Sequence, residues 1–310
     1  MTVVIPTHNR RAFVVEAALS ALTSSATGRV LVVDDGSADG TAELIRALDH
    51  PKVDLVRRDV PSGGSAARNA GLELCETETV LFLDDDDRLT TNAVDLLAAA
   101  LARCPEAAGA AGSYRVMGRV GGPVPLGPRL HVTRPVWPEL LFGWNMPPGT
   151  VLWRTDVVRE IGGWNEDLRS SEDRDLNLRA YPRPFVLLPE TVMEYRVHPN
   201  QVTSVDRWAE HHERMRAFVA DLSDVDRRRG QVILDLAARA RTAVPGYEAG
   251  DFRPARRLFT QALHPSLGLL TSPILGPWLL AMATKSAVLG AFPPVLADAV
   301  RHRRRSEQVG

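Results

Sequence analysis

Two cysteines in 310 residues, Cys75 and Cys104, exclude a disulfide framework and any zinc site built on thiolates. Both read as small buried apolar residues inside predicted helices, and a reducing compartment is the default. Net charge is missing too: 37 Lys and Arg against 38 Asp and Glu leave −1, so no basic field argues for nucleic acid. Basic residues gather only in Arg227-Arg228-Arg229 and in Arg301-His302-Arg303-Arg304-Arg305. A long apolar run is absent as well. The longest, Trp278 to Phe292, is interrupted by Lys285 and flanked by Pro277, Pro293 and Pro294. A bilayer span needs roughly 20 apolar residues, so this stretch reads as a buried or interfacial helix. With a first strand predicted from residue 2 there is no room for a signal peptide, and a cytoplasmic protein is expected.

What is present is an ordinary soluble composition, 45% hydrophobic and 24% charged, in a chain long enough to bury a sizeable core. Residues 1 to about 105 alternate. Strand-like runs fall at 2–5, 30–33, 53–57 and 79–83. Helical periodicity separates them at 11–23, 39–49, 65–76 and 91–103, with Asp39 and Thr91 as expected helix N-caps. Such alternation predicts βαβ units, hence an α/β fold with a mostly parallel sheet flanked by helices.

Residues 118–150 break the pattern with Gly and Pro and read as loop. A strand at 150–154, a helix near 155–161, a helix opening at Ser170 or Ser171 and a strand at 191–197 follow. From about 205 the pattern is helical only, at 206–222, 225–243, 251–263, 278–290 and 294–304. The sequence therefore divides into 1–205 and a C-terminal all-helical extension, 206–310.

Three strands end in polar clusters: Ile5 in Pro6-Thr7-His8-Asn9-Arg10, Val33 in Asp34-Asp35-Gly36-Ser37, and Leu83 in Asp84-Asp85-Asp86-Asp87. Parallel strands would bring all three to one sheet edge, where open α/β folds bind ligands. Four adjacent carboxylates repel one another, and an Asp-x-Asp at a strand end suits Mg²⁺ or Mn²⁺, which bridges carboxylate and phosphate oxygens. An acidic turn, or negative charge at the start of the next helix, explains the run equally well in isolation. Asp35 reads either as turn chemistry or as a carboxylate that accepts from a nucleobase. Gly63-Gly64 through Arg68-Asn69 fits neither a Walker A loop nor a Rossmann fingerprint.

In order and spacing these segments resemble the family 2 glycosyltransferases. The matching stretches are Val4 to Arg10, Val33 to Thr41, Gly63-Gly64 with Ala67-Arg68-Asn69, Phe82 to Asp87, and Gly162-Gly163-Trp164-Asn165-Glu166 followed by Glu172-Asp173. The resemblance covers about residues 1–205. It implies a GT-A-type, Rossmann-like fold and inverting, metal-dependent transfer of one sugar from a nucleotide-diphosphate sugar, a UDP-sugar by expectation. The receiver would be a hydroxyl of a saccharide, lipid-linked or small-molecule acceptor, in cell-surface polysaccharide or glycoconjugate synthesis. The same resemblance assigns Asp173 as catalytic base. Pro6, Thr7, Asn9, Asp35, Arg68, Asp84 and the middle residue Asp85 fall to the donor, Asp86 and His198 to Mn²⁺ or Mg²⁺, and Trp164, Glu166 and Glu172 to the acceptor. Asp87 follows the triplet without an assigned role.

The rivals are a sugar nucleotidyltransferase, for which the first strand lacks a Gly-rich loop, and a non-catalytic sugar-nucleotide-binding module. Gln201 and Arg207-Trp208 are spaced too widely for the Gln-x-x-Arg-Trp signature of processive relatives, so a non-processive hexosyltransferase is expected. The apolar 265–298 region with the basic tail fits either a peripheral contact at the inner face of the membrane or a cover for the catalytic domain or a homodimer partner.

Overall fold

A computed structural model of the chain describes residues 1–117, 131–142, 144–168, 170–198 and 208–248, with Leu258, Gln261 and His264 beyond them. The expected helices at 278–290 and 294–304, most of the one at 251–263, the loop segment 118–130, the apolar region at 265–298 and the basic tail lie outside the described residues.

Among the described residues nine strands form one sheet in the order β3-β2-β1-β4-β8-β6-β9-β5, with β7 paired to β9. The first four, β1 (Thr2–Thr7), β2 (Arg29–Asp35), β3 (Val53–Arg58) and β4 (Thr79–Phe82), are parallel. Here the alternating sequence pattern and the fold agree. Beyond β4 the sheet is mixed: β8 (Val151–Arg154) runs antiparallel to β4 and β6, whereas β6 (Gly109–Val116) and β9 (Phe185–Tyr195) are parallel. Two short strands, β5 (Arg88–Leu89) and β7 (Val132–Arg134), pair antiparallel to β9.

Strand β1 is buried at every position, as expected for a strand covered on both faces. Its side chains alternate. Val3 and Ile5 join Val30, Val32, Leu81 and Leu83 in one core with helices α1 (Val14–Ala21) and α4 (Ala93–Ala102). Helix α1 buries Val14, Ala17, Ala18 and Ala21, one stripe at helical spacing. On the other face Val4 and Val33 meet α3 (Gly64–Glu73), which comes so close that a Cβ on Gly71 would lie 2.3 Å from Val4 Cγ1. Helix α2 is Thr41–Arg46 and α6 is Thr155–Glu160.

Several local expectations change. Strand β6 was not anticipated because Gly-Ala-Ala-Gly carries no β-branched signal. The reason for the small residues is crowding: a Cβ on Gly112 would sit 2.6 Å from both Val192 methyls. Strand β9 begins at Phe185 rather than 191, passing through Pro189 where the pairing with β6 shifts register, as Pro in a strand requires. Helix α4 is preceded by Asn92 in the left-handed region, not capped by Thr91. Asp39 does bind the Thr41 backbone N–H, at 3.0 Å, although the cap position is Gly40. Both cysteines are buried, but each lies just past a helix end rather than inside it.

Residues Met1–Trp137 and Asn145–Trp208 form one compact unit. Pro138–Trp144 and the chain from Ala209 form another, whose described elements are most of α5 (Trp137–Phe142), α8 (Trp208–Ala220) and α9 (Asp224–Glu248). Pro135 and Pro138 had suggested loop around α5, yet Pro is tolerated in a first helical turn. No described helix is long and apolar enough to cross a membrane.

Candidate active site

Parallel pairing brings the polar ends of β1 and β2 side by side, with Thr7 opposite Asp34, and β4 delivers Asp84–Asp87 beside them. The four aspartates then alternate: Asp84 and Asp86 are partly exposed, Asp85 and Asp87 buried. Asp85 Oδ2 accepts from the Thr7 hydroxyl at 2.6 Å, so Thr7 is committed to the protein, and burial pushes the Asp85 carboxyl up to about 7. Asp87 accepts the Arg196 backbone N–H at 2.9 Å and is pushed to about 9, by burial first and then by Asp84. Mutual repulsion in the run is thus relieved by turning two carboxyls inward, where the neutral form is favoured. Arg196, a residue the sequence did not single out, also donates to the Asp86 carbonyl at 2.9 Å.

Asp86 and His198 meet: Oδ2 and Nε2 are 2.8 Å apart, with Arg10 Nη1 at 3.7 Å from the carboxylate and 3.1 Å from the imidazole. Imidazole Nε2 can donate to Asp86 or accept from Arg10, not both. Among the described residues no group of three or more His, Cys, Asp and Glu side chains is arranged to hold a metal ion. A concavity of about 850 Å³, lined in part by Asn9, Arg10, Phe13 and Asp39, opens beside the β1–α1 turn.

Asp84 faces Arg68. The guanidinium, 6% exposed, donates to Asp84 at 2.5 Å through Nη2 and to Glu172 at 3.4 Å through Nη1. Burial opposes the Arg68 charge, and Asp84 and Glu172 more than restore it. Glu172, expected at the acceptor, is therefore tied to Asp84 through Arg68. Trp164 is 2% exposed, and the same guanidinium covers its ring at 4.5 Å while Phe82 packs edge-on at 5.1 Å. Its face is not open to an acceptor sugar; it supports Arg68 instead.

Asn69 follows Arg68 in the matching stretch but serves a different contact. The fold turns it to the loop 162–166: its amide donates to the Trp164 carbonyl and to Glu166 at 2.8 and 2.7 Å, and its oxygen accepts the Trp164 N–H at 2.8 Å. Glu166 is thus a loop clamp. Gly163 is required there, with φ +67° and a virtual Cβ 2.7 Å from Asn69 Oδ1.

Asp35 is likewise occupied. Its Oδ2 accepts the N–H groups of Ser62 and Gly63 at 2.9 and 2.7 Å, leaving buried Oδ1 without a hydrogen-bond partner, 3.2 Å from Arg58 Nη1. It fastens the turn that starts α3. Asn9 links two strand ends: its N–H reaches Ser37 Oγ at 2.8 Å and its oxygen accepts from Ala38 N–H at 2.9 Å. Pro6, buried in β1, offers no N–H.

Asp173 stands at the start of α7 (Glu172–Arg179). Its Oδ1 accepts the Arg174 backbone N–H at 2.7 Å and its Oδ2 accepts from the side chain of Asn145. Burial raises the carboxyl to about 6, Glu172 adds to the rise, and Arg174 and the Asn145 bond oppose it. Arg179, two turns on, donates to the Gly163 carbonyl at 2.7 Å and ties α7 to the glycine loop. Asn145 was missed because it sits in a Pro-rich stretch without a recognisable motif.

Residues 2–142 match the family described as glycosyl transferase family 2. A pre-mycofactocin glycosyltransferase from Mycobacterium tuberculosis is 32% identical over 186 residues, covering 57% of this chain and 38% of that protein. The succinoglycan biosynthesis protein ExoO of Rhizobium meliloti is 39% identical over 88 residues, 28% of this chain and 25% of its own. The chain thus spans well under half the length of these relatives. Among solved structures, S. aureus TarS 1–349 in complex with UDP-GlcNAc superposes with a TM-score of 0.66 at 17% identity, over 92% of this chain and 88% of that one; the likeness is one of fold.

Proposed function

Residues 2–142 make this chain a member of glycosyl transferase family 2, and from that premise we propose that it transfers one sugar per encounter from a UDP-sugar to an acceptor hydroxyl, inverting the anomeric centre. The observation that carries the reading is the bridge from Asp84 through Arg68 to Glu172, which joins the strand-end carboxylates to the helix that bears Asp173. A site that must hold a diphosphate leaving group next to a proton acceptor needs such a connection. The division into a catalytic part, residues 1–205, and a helical extension, 206–310, belongs to the same proposal.

Asp173 acts as the base. A carboxylate near its ordinary value of about 3.9 is a feeble acceptor for a sugar hydroxyl proton; one raised to about 6 is better matched. The proton leaves the hydroxyl as the new C–O bond forms, and the nucleoside diphosphate departs from the opposite face of the sugar. With Oδ1 on the Arg174 N–H and Oδ2 on Asn145, the free lone pairs of the carboxylate remain for the acceptor. Arg68 offsets part of the charge of Asp84 and Glu172 and so lessens their repulsion of a diphosphate.

A divalent cation of the Mg²⁺ or Mn²⁺ type fits Asp86 and His198, whose oxygen and nitrogen converge with an unresolved choice of donor at Nε2. When bound, such an ion supplies Lewis-acid stabilisation of the charge on the leaving diphosphate. Relatives named as a pre-mycofactocin glycosyltransferase and a succinoglycan biosynthesis protein support setting this chain in cell-surface polysaccharide or glycoconjugate synthesis, which is part of the proposal.

The test is acceptor-dependent UDP release. A panel of UDP-sugars with Mn²⁺ and a set of saccharide acceptors should reveal at least one pair that turns over, and the D173N variant should lose that turnover. UDP-sugar binding with no transfer to any acceptor would support a binding module instead.

A further inference from the structure

We propose that Asn145 is the positioning residue for Asp173, holding one carboxylate oxygen so that the other lone pairs point at the acceptor hydroxyl. The inference rests on the reading of Asp173 as base and adds the residue through which the fold orients it. Nothing in the motifs that identify the family includes position 145.

Hydrogen bonds link α7 to the 145–146 segment at two points. Asn145 donates from Nδ2 to Asp173 Oδ2. Its own Oδ1 accepts from Asn177 Nδ2 at 3.4 Å, which fixes which end of the Asn145 amide faces the carboxylate. Asn177, 4% exposed, lies four residues after Asp173 on the same face of α7 and also donates to the Met146 carbonyl at 3.1 Å. One buried residue of α7 therefore grips the 145–146 segment, and that segment returns a hydrogen bond to Asp173.

The segment is fixed from behind as well. Three residues on, Gly149 lies so near the core that a Cβ there would be 2.6 Å from Met193 Sδ and 2.9 Å from Leu83 Cδ1. A segment anchored in the core at one side and on α7 at the other can hold a carboxylate to the tolerance that proton transfer needs.

Asp173 is faced by Glu172 and Arg174 from its own helix, by the guanidinium of Arg68 from α3 and by the phenol of Tyr114 from β6. None of these donates a side-chain hydrogen bond to it; Asn145 does. A neutral donor on a carboxylate favours the ionised form, so removing it should move the titration of Asp173 upward.

The full chain labelled with ¹³C at aspartate carboxyls gives the test, the Asp173 signal being the one absent from D173N. In N145A its midpoint should rise by about one pH unit, and the acidic limb of kcat/KM for UDP release should rise with it. An unmoved midpoint in folded N145A overturns the inference. Should N145A fail to fold, the unaltered protein still decides: the Asn145 side-chain ¹⁵N–¹H signals should titrate with the midpoint of Asp173, and an Asn145 amide indifferent to pH in that range overturns the pairing. The two readings fail separately. Undiminished turnover in D173N removes the base assignment and with it any catalytic role for Asn145, whereas an inactive D173N with an unshifted N145A removes only the positioning role.

Discussion

The guanidinium of Arg68 lies 4.5 Å above the Trp164 ring and forks to Asp84 and Glu172. A flat, delocalised cation can do both at once; a lysine ammonium cannot. Arg68→Lys should therefore weaken UDP binding about tenfold, since it removes the fork and the stack while keeping the charge. Isothermal calorimetry with UDP measures it, and an unchanged affinity would separate Arg68 from the donor side.

Asp173→Asn keeps the shape of the side chain and removes its basicity. Turnover should fall by about 10²–10⁴, with the Kd for UDP unaltered. Parallel loss of both would mean that Asp173 supports the fold of the site rather than proton transfer.

The acidic limb of the reaction should report the same group. A base works only when ionised, and burial holds Asp173 near 6, so activity is complete well above that pH and declines as pH falls through it. A kcat/KM profile for UDP release places the midpoint, and a limb near 4 would show that the carboxyl is unperturbed in the working enzyme.

Asn69→Ala removes three hydrogen bonds that clamp Trp164 and Glu166. It should destabilise the protein by about 2 kcal/mol, taking the net worth of buried bonds at about 1 kcal/mol each and discounting the one to the exposed Glu166. Gly163→Ala, which meets both a positive φ and Asn69 Oδ1, should cost at least about 1 kcal/mol. Urea unfolding at constant m-value measures both.

Metal dependence is checked without turnover. Mn²⁺ should strengthen the rise in Tm caused by UDP, and chelation with EDTA should remove that increment. Asp86→Ala should abolish it, while His198→Ala should reduce it. An increment that survives in D86A would move the cation elsewhere.

The parallel half of the sheet was legible in sequence because β1, β2 and β4 are continuous apolar runs punctuated by polar ends. Of the aspartate run, Asp84 and Asp86 were singled out by the Asp-x-Asp spacing and the family resemblance, and the turn that follows β4 leaves these two partly exposed. The inward pair was legible only as a repulsion problem, since nothing local shows that Thr7 and Arg196 supply partners from 78 and 109 residues away. The contacts of Asp35, Trp164 and Glu166 with Ser62, Arg68 and Asn69 were not legible, because each joins residues far apart in sequence. Strand β6 stayed hidden because its Gly and Ala residues answer to crowding by Val192, which no windowed pattern registers.

Gly71 lies one turn beyond Arg68, where α3 rests on Val4. The depth to which that arginine reaches is thus set at a spot no ligand visits. A single methyl at 71 would lever the helix off the sheet, an overpacking of about 1–3 kcal/mol, and lift the guanidinium from its carboxylates with every polar residue still in the sequence. In a survey of tolerated substitutions this position would look forbidden without any chemistry to explain it, and donor affinity would be lost through distance alone.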